Sequence, residues 1–164
     1  MDPTPQQIAA TAIHAARVAE YFKIKPKIAM LSYTNFTSQD KNPRKMQLAV
    51  EFLKESNPHY MVDGEMQADT AVSPDILERI FPFSDIKDGA NILVFPNLDS
   101  GNISYKLVQQ LGGGEVLGPF LLGTRKPAHV LQRTSNSEDI FNTIVMTSLH
   151  AQALAEMGLR RSST

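Results

Sequence analysis

Apolar residues recur at helical spacing over residues 5–22, where Ile8, Ala12, Ala15, Ala19 and Phe22 form one stripe. Thr4 is a suitable N-cap, Pro5 suits the first helical position, and Gln7 completes a Thr-x-x-Gln capping box. The run KIAMLS at residues 27–32 follows Pro26 and predicts a short buried strand. A polar loop spans 33–42. A second helix is expected from Asn42-Pro43 to about Ser56, with Met46, Ala49, Val50 and Leu53 on one face and Asn57-Pro58 as its stop. Residues 60–65 predict the next strand, and Ser73-Pro74 starts a short helix through Phe81. The stretch NILVFP at 91–96 is nearly all apolar, as expected of a strand covered on both faces. Asp99 or Ser100 caps a helix to Leu111, and residues 115–122 predict a fourth strand. Ser135-x-x-Glu138 reads as a second capping box, opening a final helix to about Met157. The tail, RRSST, is expected to fray.

This alternation of helix and strand predicts a mostly parallel sheet covered by helices on both faces, a three-layer α/β sandwich. In such sheets ligands bind beyond the carboxyl ends of the strands. A length of 164 residues, with no internal repeat or long linker, fits a single domain over 1–164.

Composition narrows the function classes. There are no cysteines, which excludes disulfides, zinc-thiolate sites, iron–sulfur clusters and a cysteine nucleophile. Sixteen Lys and Arg against seventeen Asp and Glu give a formal net charge of -1, without the basic balance of a nucleic-acid binder. No apolar run approaches the roughly 20 residues a membrane helix needs. The start, MDPTPQQ, lacks the basic and apolar segments of a secretory signal. A soluble, cytoplasmic domain with no nucleic-acid or membrane partner is expected.

Several segments could carry chemistry. Residues 32–38, SYTNFTS, put hydroxyls and an amide at a strand's carboxyl end, either to bind an anion or carbonyl or to satisfy their own backbone. Residues 97–102 hold helix-capping candidates, with Asp99 opposing any phosphate placed on it. Gly112-Gly113-Gly114 follows a helix and lacks the Lys-Ser/Thr of a phosphate loop, so it reads as a C-cap and turn. Arg125, Lys126 and Arg133 run into the N-terminus of the last helix beside Ser135, Asn136 and Ser137. Cations at a helix N-terminus make an anion site, although a solvated basic loop has the same composition. His14, His59, His129 and His150 show no metal-ligand spacing. Asp63 and Glu65 could share a strand face as an acid/base pair, or serve as partners of nearby cations and caps. No Ser-His-Asp order stands out.

The stretches KIAMLSYTNFTS, YMVDGEMQADTAV, ANILVFPNLDSGNISYKLVQQLGGG and GPFLLGTRKPAHVLQRTSNSEDI resemble the phosphate acetyltransferase/butyryltransferase family. They cover most of residues 27–140. Within it, Asn35-Phe36, Gly64-Glu65-Met66, Pro96-Asn97-Leu98-Asp99, and Lys126-Pro127 before His129-Val130-Leu131 are most similar to the C-terminal domain of hybrid NADP-dependent malic enzymes. The resemblance implies a domain serving regulation and oligomer assembly, with acetyl-CoA as allosteric inhibitor. NADP and a divalent metal would serve the malate-decarboxylating part, outside this segment. A homodimer through this domain, and a higher oligomer of the parent, are also implied.

The departures from the family pattern bear on chemistry. Active phosphotransacetylases read Lys-Pro-Val-Asn-Asp-Leu-Ser-Arg-Gly where this chain has Lys126-Pro127-Ala128-His129-Val130-Leu131-Gln132-Arg133-Thr134. The family's serine position is therefore Gln132, while Arg133 and the downstream Asp139 are kept. Replacing a small hydroxyl by Gln adds bulk where reactants must align, and a misplacement of about 1 Å can cost on the order of 100-fold. No catalytic residue and no metal ligand are expected. The expected acetyl-CoA contacts are Arg133, Lys126, Asp139, Gln132, Ser135, Asn35 and Ser38. An active phosphate acetyltransferase is the alternative, with Ser135 or His129 replacing the serine. A purely architectural domain is a third.

The resemblance further implies that this is the second lobe and closing segment of a two-lobed domain, cut from a longer polypeptide at Met1. The final helix is then expected to expose Ile140, Ile144 and Leu149.

Overall fold

The computed structural model describes residues 2–56, 58–112, 116–124, 126–133 and 135–161, with side chains through residue 155. Three parallel strands lie in the order β2-β1-β3, with β1 at Lys27–Leu31, β2 at Met61–Met66 and β3 at Ile92–Val94. The helices are α1 (Pro5–Tyr21), α2 (Lys41–Glu55), α3 (Ala68–Val72), α4 (Pro74–Ile80), α5 (Leu98–Leu111) and α6 (Ser137–Arg161).

The pleat of β1 sorts the core into two halves. Ile28 and Met30 join Ile8, Ala12 and Ala16 of α1 and Met46, Ala49, Val50 and Leu53 of α2. Ala29 and Leu31 join Ala71 of α3, Leu77 of α4 and Ile86 from the following loop. The sheet is therefore covered on both faces, giving the expected three-layer α/β arrangement. Each large side chain buried in these clusters contributes about 1.5–3 kcal/mol.

Local signals set the helix starts. Thr4 and Gln7 form the expected capping box of α1, and the Ser73 hydroxyl accepts from the Ile76 N–H at the start of α4. Elsewhere the starts differ. α2 begins at Lys41, and its N-cap Asp40 makes no side-chain cap bond, because its carboxylate accepts the Tyr33 hydroxyl at 2.6 Å. Asn97, not Asp99 or Ser100, caps α5: its backbone is extended and its Oδ1 accepts the Ser100 N–H at 2.9 Å. The last helix is capped one residue later than Ser135. Asn136 Oδ1 accepts the Asp139 N–H and Asp139 Oδ2 accepts the Asn136 N–H, both at 2.9 Å. That helix continues to Arg161, beyond the expected end. The short helix α3 has no counterpart in the hydrophobic pattern.

The fourth strand does not form among the described residues 116–122. Pro119 has no N–H to donate and Gly118 sits at φ 123°, so a regular ladder is blocked. The segment still alternates, with Leu117 and Leu121 exposed and Val116, Phe120 and Leu122 half-buried. Of the expected turn after α5, Gly112 is the C-cap, donating to Val108 at 2.8 Å. Gly113, Gly114, Arg125, Thr134 and the Ser162-Ser163-Thr164 end of the tail lie outside the described residues.

The second half of the chain is thinly covered. No residue of α5 is buried, and Leu98, Ile103, Leu107, Val108 and Leu111 are each more than half exposed. On α6, Ile140, Ile144 and Leu149 are exposed, with Phe141 and Val145 beside them. Among the described residues no helix is long and apolar enough to cross a membrane.

This division predicts unequal mutational costs. Leu53→Ala, in the fully packed half, lowers unfolding free energy by about 2–5 kcal/mol. Leu107→Ala changes it by no more than about 0.5 kcal/mol in this chain. Urea denaturation of both variants checks the contrast.

Candidate functional site

The loop at 32–38 leaves the carboxyl end of β1 and is tied down by β2. The Ser32 N–H donates to the Met66 carbonyl and the Phe36 N–H to the Glu65 carbonyl, each at 2.9 Å. The Glu65 side chain is fully buried beneath the loop. Its Oε1 accepts the Thr34 hydroxyl at 3.0 Å and the Thr37 N–H at 3.2 Å, and its Oε2 accepts Gln47 Nε2 at 2.6 Å. The Gln47 amide is itself oriented, since its Oε1 accepts Arg44 Nη1 at 3.0 Å. Phe36 adopts φ 57° and packs its ring 5.0–5.4 Å from those of Phe83 and Phe81. Gly64 allows this junction: a Cβ there would lie 2.6 Å from the Met30 carbonyl oxygen.

Asp63 and Glu65 are not an acid/base pair. Asp63 accepts Ser84 Oγ at 2.8 Å and the Asp85 N–H at 2.9 Å, with Lys54 at 3.4 Å, whereas Glu65 serves the loop. The two carboxylates have no partner in common, so each is explained by its own set of side-chain and backbone donors.

A second polar region forms where residues 116–120 and 130–132, with Ser135, face α5 and α6. Gln132, Ser135 and Asp139 line one small cavity of about 140 Å³, together with Tyr105, Gln109 and Asn142. The Ser135 hydroxyl accepts the Gln132 N–H at 3.0 Å, closing a local turn. Asp139 is committed by one oxygen to the α6 cap. Tyr105, Gln109 and Asn142 were not legible as site residues, because α5 and α6 reveal their facing sides only when packed.

The other expected contacts fall elsewhere. Asn35 is saturated by Gln67: its Nδ2 donates to Gln67 Oε1 and its Oδ1 accepts the Gln67 N–H, both at 2.8 Å. The Ser38 hydroxyl accepts the Asp40 N–H at 3.1 Å. Lys126 and Arg133 are exposed, and neither lines the Gln132 cavity. Of the seven expected contacts, three are thus brought together. Lys126, Arg133, Asn35 and Ser38 stay separate from them.

A larger, mostly apolar cavity of about 500 Å³ lies between the C-terminal half of α1, Phe120 and Leu122, and α6. His129 forms part of its wall. The ring stacks on His150 at 5.6 Å and meets Phe120 edge-on at 5.1 Å. Its Nδ1 accepts the Leu121 N–H at 3.2 Å, so the imidazole is neutral in this arrangement. Burial, and secondarily the neighbouring His150, holds its pKa below the ordinary 6.5. Among the described residues no group of three metal-ligating side chains converges.

Comparison with known proteins gives this geometry a family. The model for phosphate acetyl/butaryl transferases matches residues 1–148. The chain belongs to this family. It is 42% identical to the phosphate acetyltransferase of Bacillus subtilis over 153 residues, covering 93% of this chain and 47% of that protein. It is 39% identical to the NADP-dependent malic enzyme of Salmonella typhimurium, covering 92% of this chain and 20% of that protein. A phosphotransacetylase from Streptococcus pyogenes superposes with a TM-score of 0.86 at 40% identity, over 94% of this chain and 47% of that one. The chain therefore spans about half, or about a fifth, of the length of the relatives it matches. The fold expected from the resemblance is the one observed.

The neutral His129 predicts a pH dependence. A histidine whose folded pKa is lowered stabilises the fold fully above the unfolded value, and that contribution is lost as pH falls through the folded one. Acidification from about pH 7 to about pH 5 is expected to lower the melting temperature more for the wild type than for His129→Phe. Equal slopes would remove His129 from the account.

Proposed function

We propose that this chain is half of a phosphotransacetylase-like acyl-CoA site that binds without turnover, serving as a regulatory and assembly domain of an NADP-dependent malic enzyme. The observation that carries the reading is the Gln132 cavity. The residue at the family's serine position lines it beside Ser135 and Asp139. A glutamine there fills space that an attacking thiol or phosphate needs and offers no small hydroxyl. The likeness to malic enzymes from Salmonella typhimurium and Haemophilus influenzae, each over about a fifth of their length, supports the assignment to one domain of such an enzyme.

In this reading acetyl-CoA binds one global state of the parent better than another, and so shifts malate decarboxylation elsewhere in the polypeptide. Arg133 holds an anionic part of the effector, and Lys126 adds charge. Both are exposed, as a site completed by another lobe or subunit requires. The unpartnered apolar faces of α5 and α6 support assembly of a dimer through this domain.

The second reading is an active phosphate acetyltransferase. The 42% identity to the Bacillus subtilis enzyme favours it, as does the Ser135 hydroxyl in the same cavity. Exchange between acetyl phosphate and CoA, measured on the full-length protein, separates the two: turnover establishes the transferase, and its absence beside acetyl-CoA inhibition of malate-dependent NADP reduction supports regulation. Under the regulatory reading, Arg133→Ala raises the acetyl-CoA concentration for half-inhibition about tenfold or more, as expected for a lost charge-assisted bond. Unchanged inhibition would take Arg133 out of the site.

A further inference from the structure

We infer that Glu65 is a positioning residue for acyl-CoA binding: its buried carboxylate holds the 32–38 loop in its ligand-ready form. The inference rests on the acyl-CoA reading above. Glu65 is fully buried, and no described cation pairs with it. Burying a carboxylate costs several kcal/mol unless its oxygens are satisfied. Here the satisfying donors come from the loop, through Thr34 Oγ1 and the Thr37 N–H, and from α2, through Gln47. The cost of burying the charge is thus offset only while the loop keeps this shape.

The side chain does this by accepting at both of its oxygens. Two of the three close partners can only donate: the Thr37 N–H faces Oε1, and Gln47 cannot turn its amide away from Oε2, because Arg44 holds its other end. A carboxylate accepts at both oxygens, whereas a glutamine accepts at one and presents an NH₂ to the other donors. Phe36, at φ 57° among Phe81 and Phe83, keeps the loop in a conformation that a non-glycine residue adopts only when its surroundings impose it. The loop lies beyond the carboxyl end of β1, between strands that flank it on both sides, which is where parallel sheets present ligands. A loop shaped in advance binds without the ordering cost of a flexible one.

The test is acetyl-CoA affinity, measured by calorimetry on the full-length protein well below its melting temperature. Glu65→Gln is expected to weaken binding about tenfold or more, and Thr34→Val, which removes one donor and keeps the side-chain shape, about threefold. Leu53→Ala serves as the stability control and should leave affinity within about twofold although it lowers the melting temperature. Circular dichroism establishes that each variant is folded. Should Glu65→Gln fail to fold, Thr34→Val decides. Wild-type binding that the loop variants leave within about twofold overturns the role of Glu65 alone. So does an equal loss in Leu53→Ala, which would make the effect one of general stability. Absence of acetyl-CoA binding to the wild type overturns the acyl-CoA reading and this inference together.

Discussion

The two-sided burial of β1 is the constraint on which the remainder of the fold depends. Ile28, Ala29, Met30 and Leu31 are all buried, and a strand's side chains alternate between its faces. Neither face can be left to water. One is closed by α1 and α2, the other by α3, α4 and the loop bearing Ile86. With those layers in place, the chain leaving β1 must emerge between two covering walls. The polar loop at 32–38 sits there for that reason.

Polar groups inside this half are held to the same standard as the apolar ones. Among the described residues no buried side-chain nitrogen or oxygen lacks a hydrogen-bond partner. Asp63 and Glu65 both lie on β2, yet each anchors a different stretch of backbone, Asp63 the 84–85 turn and Glu65 the loop after β1. An unpaired carboxylate at either place would cost more than several apolar contacts return. Acid residues that look like paired chemistry in a linear reading are thus used to shape the loops around the sheet.

The remainder of the chain follows a different logic. Phe120, Leu122 and His129 join α6 in enclosing an apolar cavity against α1, while α5 and the outer side of α6 present leucine, isoleucine and valine to solvent. Exposed apolar surface of this kind is what the assembly proposed above would cover. The relatives that share this fold are at least about twice as long as the matched region.

The sequence by itself determined the helices and strands whose signals are local. The Thr4–Gln7 capping box, the Ser73-Pro74 start and the apolar runs at 27–32 and 91–96 depend on neighbours a few residues away, and the structure keeps them. Family membership was legible too, through KIAMLSYTNFTS and the segment from Gly118 to Ile140. Only the tertiary structure decided where side chains with several possible partners went. Asp40 gave up its cap to hold Tyr33, Asn35 was taken by Gln67, and Asp139 turned back to cap α6. The apolar run at 116–122 had the composition of a strand but found no ladder to join, because Pro119 and Gly118 blocked one. Hydrogen-bond partners distant in sequence are chosen by packing, and spacing along a chain carries no record of that choice.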